Sequence, residues 1–175
     1  MGEYVALADS LGATMNFSLL SAPVESDELA AVLPDDAALE RLAQATLALS
    51  RDGVPVLSDT PVSTRLTTTC GCGAGCTMVS VSADGEVFPC HMMHDEAFSL
   101  GSLLEDSGCL AARHAPAPRV AELAACADCD IRYLCGGGCR ARAYFATGDV
   151  EARDPYCSLM RTFYRLLFEA MLGRN

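Results

Sequence analysis

All ten cysteines of this 175-residue chain lie between Cys70 and Cys157, and none precedes them. No other feature constrains the fold as much. The cysteine-free N-terminal third can fold by apolar packing, whereas the cysteine-dense remainder invites cross-linking or metal. The compartment decides between those two. Met1-Gly2-Glu3-Tyr4 has neither the basic start nor the apolar run of a signal peptide. No apolar stretch reaches membrane-spanning length. The expected location is cytoplasmic, where thiols stay reduced, so the cysteines read as metal ligands.

The net charge of −11 argues against nucleic acid, whose partners need clustered basic residues, and against an anionic membrane surface. With 51% hydrophobic residues the chain has enough apolar surface for a modest core. Its length fits one ordinary domain or two small ones.

The N-terminal third reads as α/β. Tyr4 to Leu11 suits the end of a helix stopped by Gly12. Met15 to Leu20 suits a buried strand. Asp35 or Asp36 is placed to cap a helix with Leu39, Leu42, Thr46 and Leu49 on one face, ending before Gly53. Val54 to Leu57 suits a second short strand. One strand–helix–strand unit cannot form a domain alone, because its sheet would keep an open edge. The unit is either a small lobe packed on the rest or the last piece of a larger barrel. In the remainder, Thr77 to Ser82 and Glu86 to Phe88 read as a hairpin around Asp84-Gly85. A short helix is expected around Val120 to Ala125. A final amphipathic helix carries Leu159, Phe163, Leu166, Leu167 and Ala170, closed by Gly173.

The densest signal is Cys126-x2-Cys129-x5-Cys135-x3-Cys139, with Cys157 following after seventeen intervening residues. Upstream stand Cys70, Cys72 and Cys76, then Gly85-x4-Cys90. Short spacings let neighbouring thiolates face one centre, and distant cysteines close it by folding. Structural zinc usually takes two short pairs, and only Cys126/Cys129 has that form. Cubane iron–sulfur clusters take four thiolates each. Spacing favours iron–sulfur over zinc and leaves both open.

This pattern resembles the SPASM domain, the auxiliary-cluster module at the C-terminal end of radical SAM peptide and protein maturases, such as anaerobic sulfatase maturases and ribosomal-peptide maturases. The likeness runs from about Thr69 to Met171. It is supported by Asp84-Gly85-Glu86-Val87-Phe88-Pro89-Cys90, Cys135-Gly136-Gly137-Gly138-Cys139-Arg140 and Asp154-Pro155-Tyr156-Cys157. The resemblance implies two [4Fe–4S] clusters. Cys90 and Cys139 would hold the first with two of the upstream cysteines. Cys70 with Cys76 is the favoured choice and Cys72 the alternate. Cys126, Cys129, Cys135 and Cys157 would hold the second. The glycines between Cys135 and Cys139 would let the backbone pass between the clusters. Cys109 matches no ligand position and reads as a small buried apolar residue.

The resemblance also implies an α+β fold: a loop-rich two-cluster domain over residues 63–175, with a β-hairpin and C-terminal helices. Residues 1–62 would be a strand–helix remnant of a partial β/α barrel. The expected function is the auxiliary part of a peptide- or protein-modifying enzyme, with clusters serving electron transfer and substrate positioning. The alternative is a stand-alone iron–sulfur electron-transfer or peptide-binding protein without catalysis. A third reading is a zinc-stabilised interaction module. The C-x3-C-x2-C loop of the family is absent from the sequence, so S-adenosylmethionine is expected only where a complete barrel is supplied elsewhere, and the chain is expected to be inactive alone. Expected partners are a peptide or protein substrate, a barrel-bearing chain, and a reducing donor such as flavodoxin or ferredoxin.

Other residues carry weaker signals. His91 and His94 could ligate iron, since His can replace Cys there, but read more readily as neighbours of the metal region or surface groups, and His114 as exposed. Arg132, Arg140 and Arg142 read either as counter-charges to anionic clusters or as surface arginines. Tyr133, Tyr144, Phe145 and Tyr156 are expected to pack around the clusters and exclude water.

Overall fold

Leu39, Ala43 and Leu47 recur every four residues, and so do Leu159, Phe163 and Leu167, so each set shares one face of its helix. In a computed structural model describing residues 2–13, 17–21, 31–51, 66, 69, 71–104 and 117–173, these two faces meet. The first belongs to helix α2, Asp36–Arg51, which follows helix α1, Gly2–Ser10. Asp35 is the cap of α2: its Oδ1 accepts the Ala38 N–H at 2.7 Å. Helix α1 buries none of its residues and ends before Gly12, whose φ is +61°.

The second face belongs to the C-terminal helix. Two shorter helices precede it, α3 at Arg132–Cys135 and α4 at Arg140–Thr147, making the C-terminal one α5, Cys157–Met171. Met160, Tyr164, Ile131 and Tyr156 complete the same core. Burying a side chain such as Phe163 stabilises the fold by about 1.5–3 kcal/mol.

The remainder contains a small antiparallel sheet of three strands in the order β1 (Ser80–Val81), β2 (Glu86–Phe88), β3 (Gly101–Ser102). Ser80 faces Phe88 and Glu86 faces Ser102. The turn is at Asp84-Gly85, where Gly85 has φ +85° and donates to the Ser82 carbonyl at 3.1 Å. The chain is thus a mixture of helices and a small antiparallel sheet. No helix among the described residues is long and apolar enough to cross a membrane.

Three expectations are corrected. Residues 17–20 form no strand, having no strand beside them among the described residues. Leu19 is buried in the helical core instead, and the Tyr156 hydroxyl donates to the Leu20 carbonyl at 2.9 Å. Thr77 to Val79 do not extend β1, because Thr77 and Met78 turn back and donate to the Gly73 carbonyl. Around Val120 to Ala125 there is only a 3-10 turn at Ala124–Cys126. Val120 and Leu123 are fully buried there, and packing of these two side chains sets an irregular path. Met15, Asn16, the expected strand Val54 to Leu57 and the boundary near residue 62 lie outside the described residues.

Candidate metal centre

The first cysteine group sits beside the helical core. Cys126 ends the 3-10 turn, Cys129 follows with its N–H donating to the Cys126 carbonyl, Cys135 ends α3, and Cys157 opens α5. All four line one cavity of about 180 Å³. Ile131 and Met160 give it apolar wall, while Arg132, Arg153 and Arg161 bring positive charge. Burial pushes the Cys135 thiol up to about 12, with the Gly137 N–H pulling the other way and Cys157, Asp154 and Cys126 adding to the rise. Burial also raises Cys157, helped by Cys129 and opposed by Arg153 and Arg161. Burial thus favours the protonated form of Cys135 and Cys157; a bound metal would take these cysteines as thiolates and release protons.

The second group is separate. Cys90 is buried with Ala74, Met93 and Ala141, and Cys72 and Cys139 pack against them. Burial raises the Cys90 thiol, the Met92 N–H opposes it, and Cys139 and Cys72 add smaller rises. Of the upstream cysteines Cys72 therefore faces this group, whereas Cys76 is exposed and Cys70 lies outside the described residues. Cys109 and His114 also lie outside them. His91 is exposed, with Nδ1 3.7 Å from the Cys90 Sγ. His94 turns away, 2.8 Å from the Ser80 hydroxyl and stacked on Phe88.

Between the groups runs Gly136-Gly137-Gly138, with φ values of +70°, +85° and +75°. Any other residue would be strained at all three. Added Cβ atoms would also meet protein, at 2.7 Å from Thr69, 2.6 Å from Leu123 and 2.6 Å from Asp154 respectively. The close approach that these glycines permit in the structure is thus to the chain itself. Cys135 and Cys139, at the two ends of this turn, belong to different groups.

The arginines divide. Arg140 and Arg142 are fully buried, which overturns the surface reading for both. Arg140 donates to the carbonyls of Gly137, Val150 and Ala152. Arg142 pairs with buried Asp154 at 2.9 Å. Arg132 is half-buried, donates to the Ala127 carbonyl and lies over the Tyr133 ring at 4.9 Å. Tyr133 is 45% exposed and lies outside the core, whereas Tyr156 is buried in it. The sequence assigned no role to Arg153 or Arg161, and it marked Asp154 only as part of the motif around Cys157. Arg161 was within reach of it, since it lies one helical turn after Cys157 on α5.

Among the described residues no three Cys, His, Asp or Glu side chains converge at the spacing of a single metal ion. A four-iron cluster asks for something different: thiolates spread around a space. Cys126, Cys129, Cys135 and Cys157 meet that requirement, with apolar and cationic walls suited to an anionic group.

No family model matches the chain. It is 32% identical over 100 residues to an uncharacterized protein of Archaeoglobus fulgidus, covering 55% of this chain and 23% of that one. It is 32% identical over 99 residues to the PqqA peptide cyclase of Methylorubrum extorquens, covering 51% of this chain and 25% of the cyclase. The chain thus spans about a quarter of the length of these curated relatives. Its fold is shared with a solved structure of hexahistidine-tagged anSMEcpe with bound AdoMet, at a TM-score of 0.62 and 14% identity, over 98% of this chain and 57% of that one. Native anSMEcpe with bound AdoMet and Cp18Cys peptide gives a TM-score of 0.58 at 16% identity, over 97% and 52%.

Proposed function

We propose that the chain is the auxiliary-cluster portion, a SPASM domain with a barrel remnant before it, of a radical SAM enzyme that modifies a peptide or protein. The observation that carries this reading is the segregation of the cysteines into two groups on either side of the triple-glycine turn. The similarity to a peptide cyclase and the fold shared with an AdoMet-bound, peptide-bound protein support it. In this reading Cys126, Cys129, Cys135 and Cys157 hold one [4Fe–4S] cluster. Cys90, Cys139 and Cys72 hold the other, with Cys70 or Cys76 as fourth ligand. Packing beside Cys90 is what moves Cys72 ahead of exposed Cys76. Residues 1–62 belong to the barrel and residues 63–175 to the cluster domain.

When bound, such clusters supply one-electron oxidation and reduction. The chain's own residues have three tasks: cysteines hold, Ile131 and Met160 keep water from one site, and Arg153 and Arg161 balance its charge. S-adenosylmethionine would be bound by barrel residues beyond this sequence, since C-x3-C-x2-C does not occur in it. A reducing donor such as flavodoxin or ferredoxin, a peptide substrate and a cytoplasmic setting complete the reading.

Anaerobic purification tests it. Roughly eight iron and eight sulfide per chain are expected, four of each per cubane. A colourless protein with stoichiometric zinc would overturn the proposal. The missing C-x3-C-x2-C loop also favours a second reading, a stand-alone iron–sulfur protein without catalysis. Co-purification of a barrel-bearing chain supports the first; reductive cleavage of S-adenosylmethionine by the chain alone contradicts both.

A further inference from the structure

Asp154 is 4% exposed, yet its oxygens gather donors from two separate parts of the site. Oδ2 accepts the Cys139 N–H at 2.6 Å. Oδ1 accepts the Tyr156 N–H at 2.9 Å, and the Asp154 carbonyl accepts the Cys157 N–H at 2.9 Å. Cys139 belongs to one cysteine group and Cys157 to the other. The carboxylate also fills the space beside Gly138, where a Cβ would stand 2.6 Å from it.

Arg142 of α4 grips the same carboxylate. Its Nη2 donates to Oδ2 at 2.9 Å, and its Nε lies 3.2 and 3.3 Å from the two oxygens. The guanidinium is fully buried and lies over the Tyr156 ring at 5.4 Å. A buried ion pair of this kind adds little net stability, because the cost of dehydrating both charges offsets their attraction; its best-attested value is in fixing register. Moreover, the Cys139 N–H is committed to an oxygen and withheld from sulfur, and hydrogen bonds to sulfur help set a cluster's potential.

We propose that Asp154, clamped by Arg142, is a positioning residue that locks the loops of both cysteine groups into one register, so that altering it changes both metal sites together. The inference rests on the two-cluster reading above for its consequence, though not for its geometry.

Two variants test it, Asp154→Asn and Arg142→Lys, each purified anaerobically. An amide at position 154 offers one acceptor oxygen where two N–H groups need one each, and it removes the carboxylate charge that faces Arg142. The expected result is a shift in the low-temperature electron paramagnetic resonance of both reduced clusters and a rise in both potentials. Lysine keeps the charge and loses the two-pronged grip, so Arg142→Lys should shift both signals less. In Asp154→Asn the Cys139 or Tyr156 amide should exchange hydrogen about tenfold faster than in the unaltered chain. A merely structural role would lower stability and leave signals and potentials of the loaded protein unmoved. Signals and potentials unchanged in both variants, or a change confined to one cluster, would overturn the proposal. Should Asp154→Asn not fold, Arg142→Lys decides by the same criterion. An unaltered chain without iron would sink the cluster reading alone, and the amide exchange would still decide whether the clamp exists.

Discussion

Between α2 and α5 the buried residues recur at helical spacing on two facing helices, whereas between Gly71 and Cys139 they are scattered over turns and strands of two or three residues. Among the described residues the helical core cluster holds eleven buried residues, eight of them on α2 and α5, and the Cys90 cluster holds four. Apolar burial is the main favourable term in folding, so the first region is expected to hold more of its own stability than the second. The difference teaches where the cysteines matter. Cys129 and Cys135 lean on the helical core, while Cys72, Cys90 and Cys139 depend on a small cluster of their own. Metal binding should therefore be folding energy for the loops and only an addition for the helices.

The largest effect should come from stripping the metal. Anaerobic removal of iron is expected to abolish amide protection across residues 71–104 while α2 and α5 keep most of theirs, as followed by hydrogen exchange; equal loss in both regions would erase the contrast. Next, Phe163→Ala should destabilise the chain by about 3–5 kcal/mol in denaturant unfolding, because it opens a cavity in a fully buried position. Iron should then be lost first from the Cys126 group, which borders that core. Gly138→Ala should cost about 1–2 kcal/mol for the left-handed backbone alone, and more for displacing Asp154. Its iron content should fall at both groups, which metal analysis would show. The smallest effect has the opposite sign. Thr46 is fully buried and its hydroxyl has no hydrogen-bond partner among the described residues, so Thr46→Val should stabilise the helical layer by about 1 kcal/mol in the same unfolding measurement.

The same division governs how much of the molecule is legible in its residues alone. Helix α2 was legible in the Asp35 cap and the Leu39 face, and α5 in the run from Leu159 to Ala170. The hairpin was legible at Asp84-Gly85. Ala43 and Leu47, equally buried, were missed, since periodicity marks a face but not its width. In the loops local rules stop early. The choice between Cys72 and Cys76 turns on which side chain meets Cys90 after folding, and spacing does not contain that. Arginine is by default a surface residue, so the burial of Arg140 and Arg142 could not be foreseen. Asp154 was visible only as a neighbour of Cys157; its partnership with Cys139 spans fifteen residues and arises only on folding.

Cys135 and Cys139 stand four residues apart yet face different groups, and they offer the most direct test of the account. Iron should be counted per chain in the unaltered protein, in Cys135→Ala and in Cys139→Ala, each with its electron paramagnetic resonance spectrum. The expected result is roughly eight iron in the first and about four in each variant, with different signals surviving in the two. Loss of the same signal from both variants, or an unaltered chain that carries zinc in place of iron, would contradict the account.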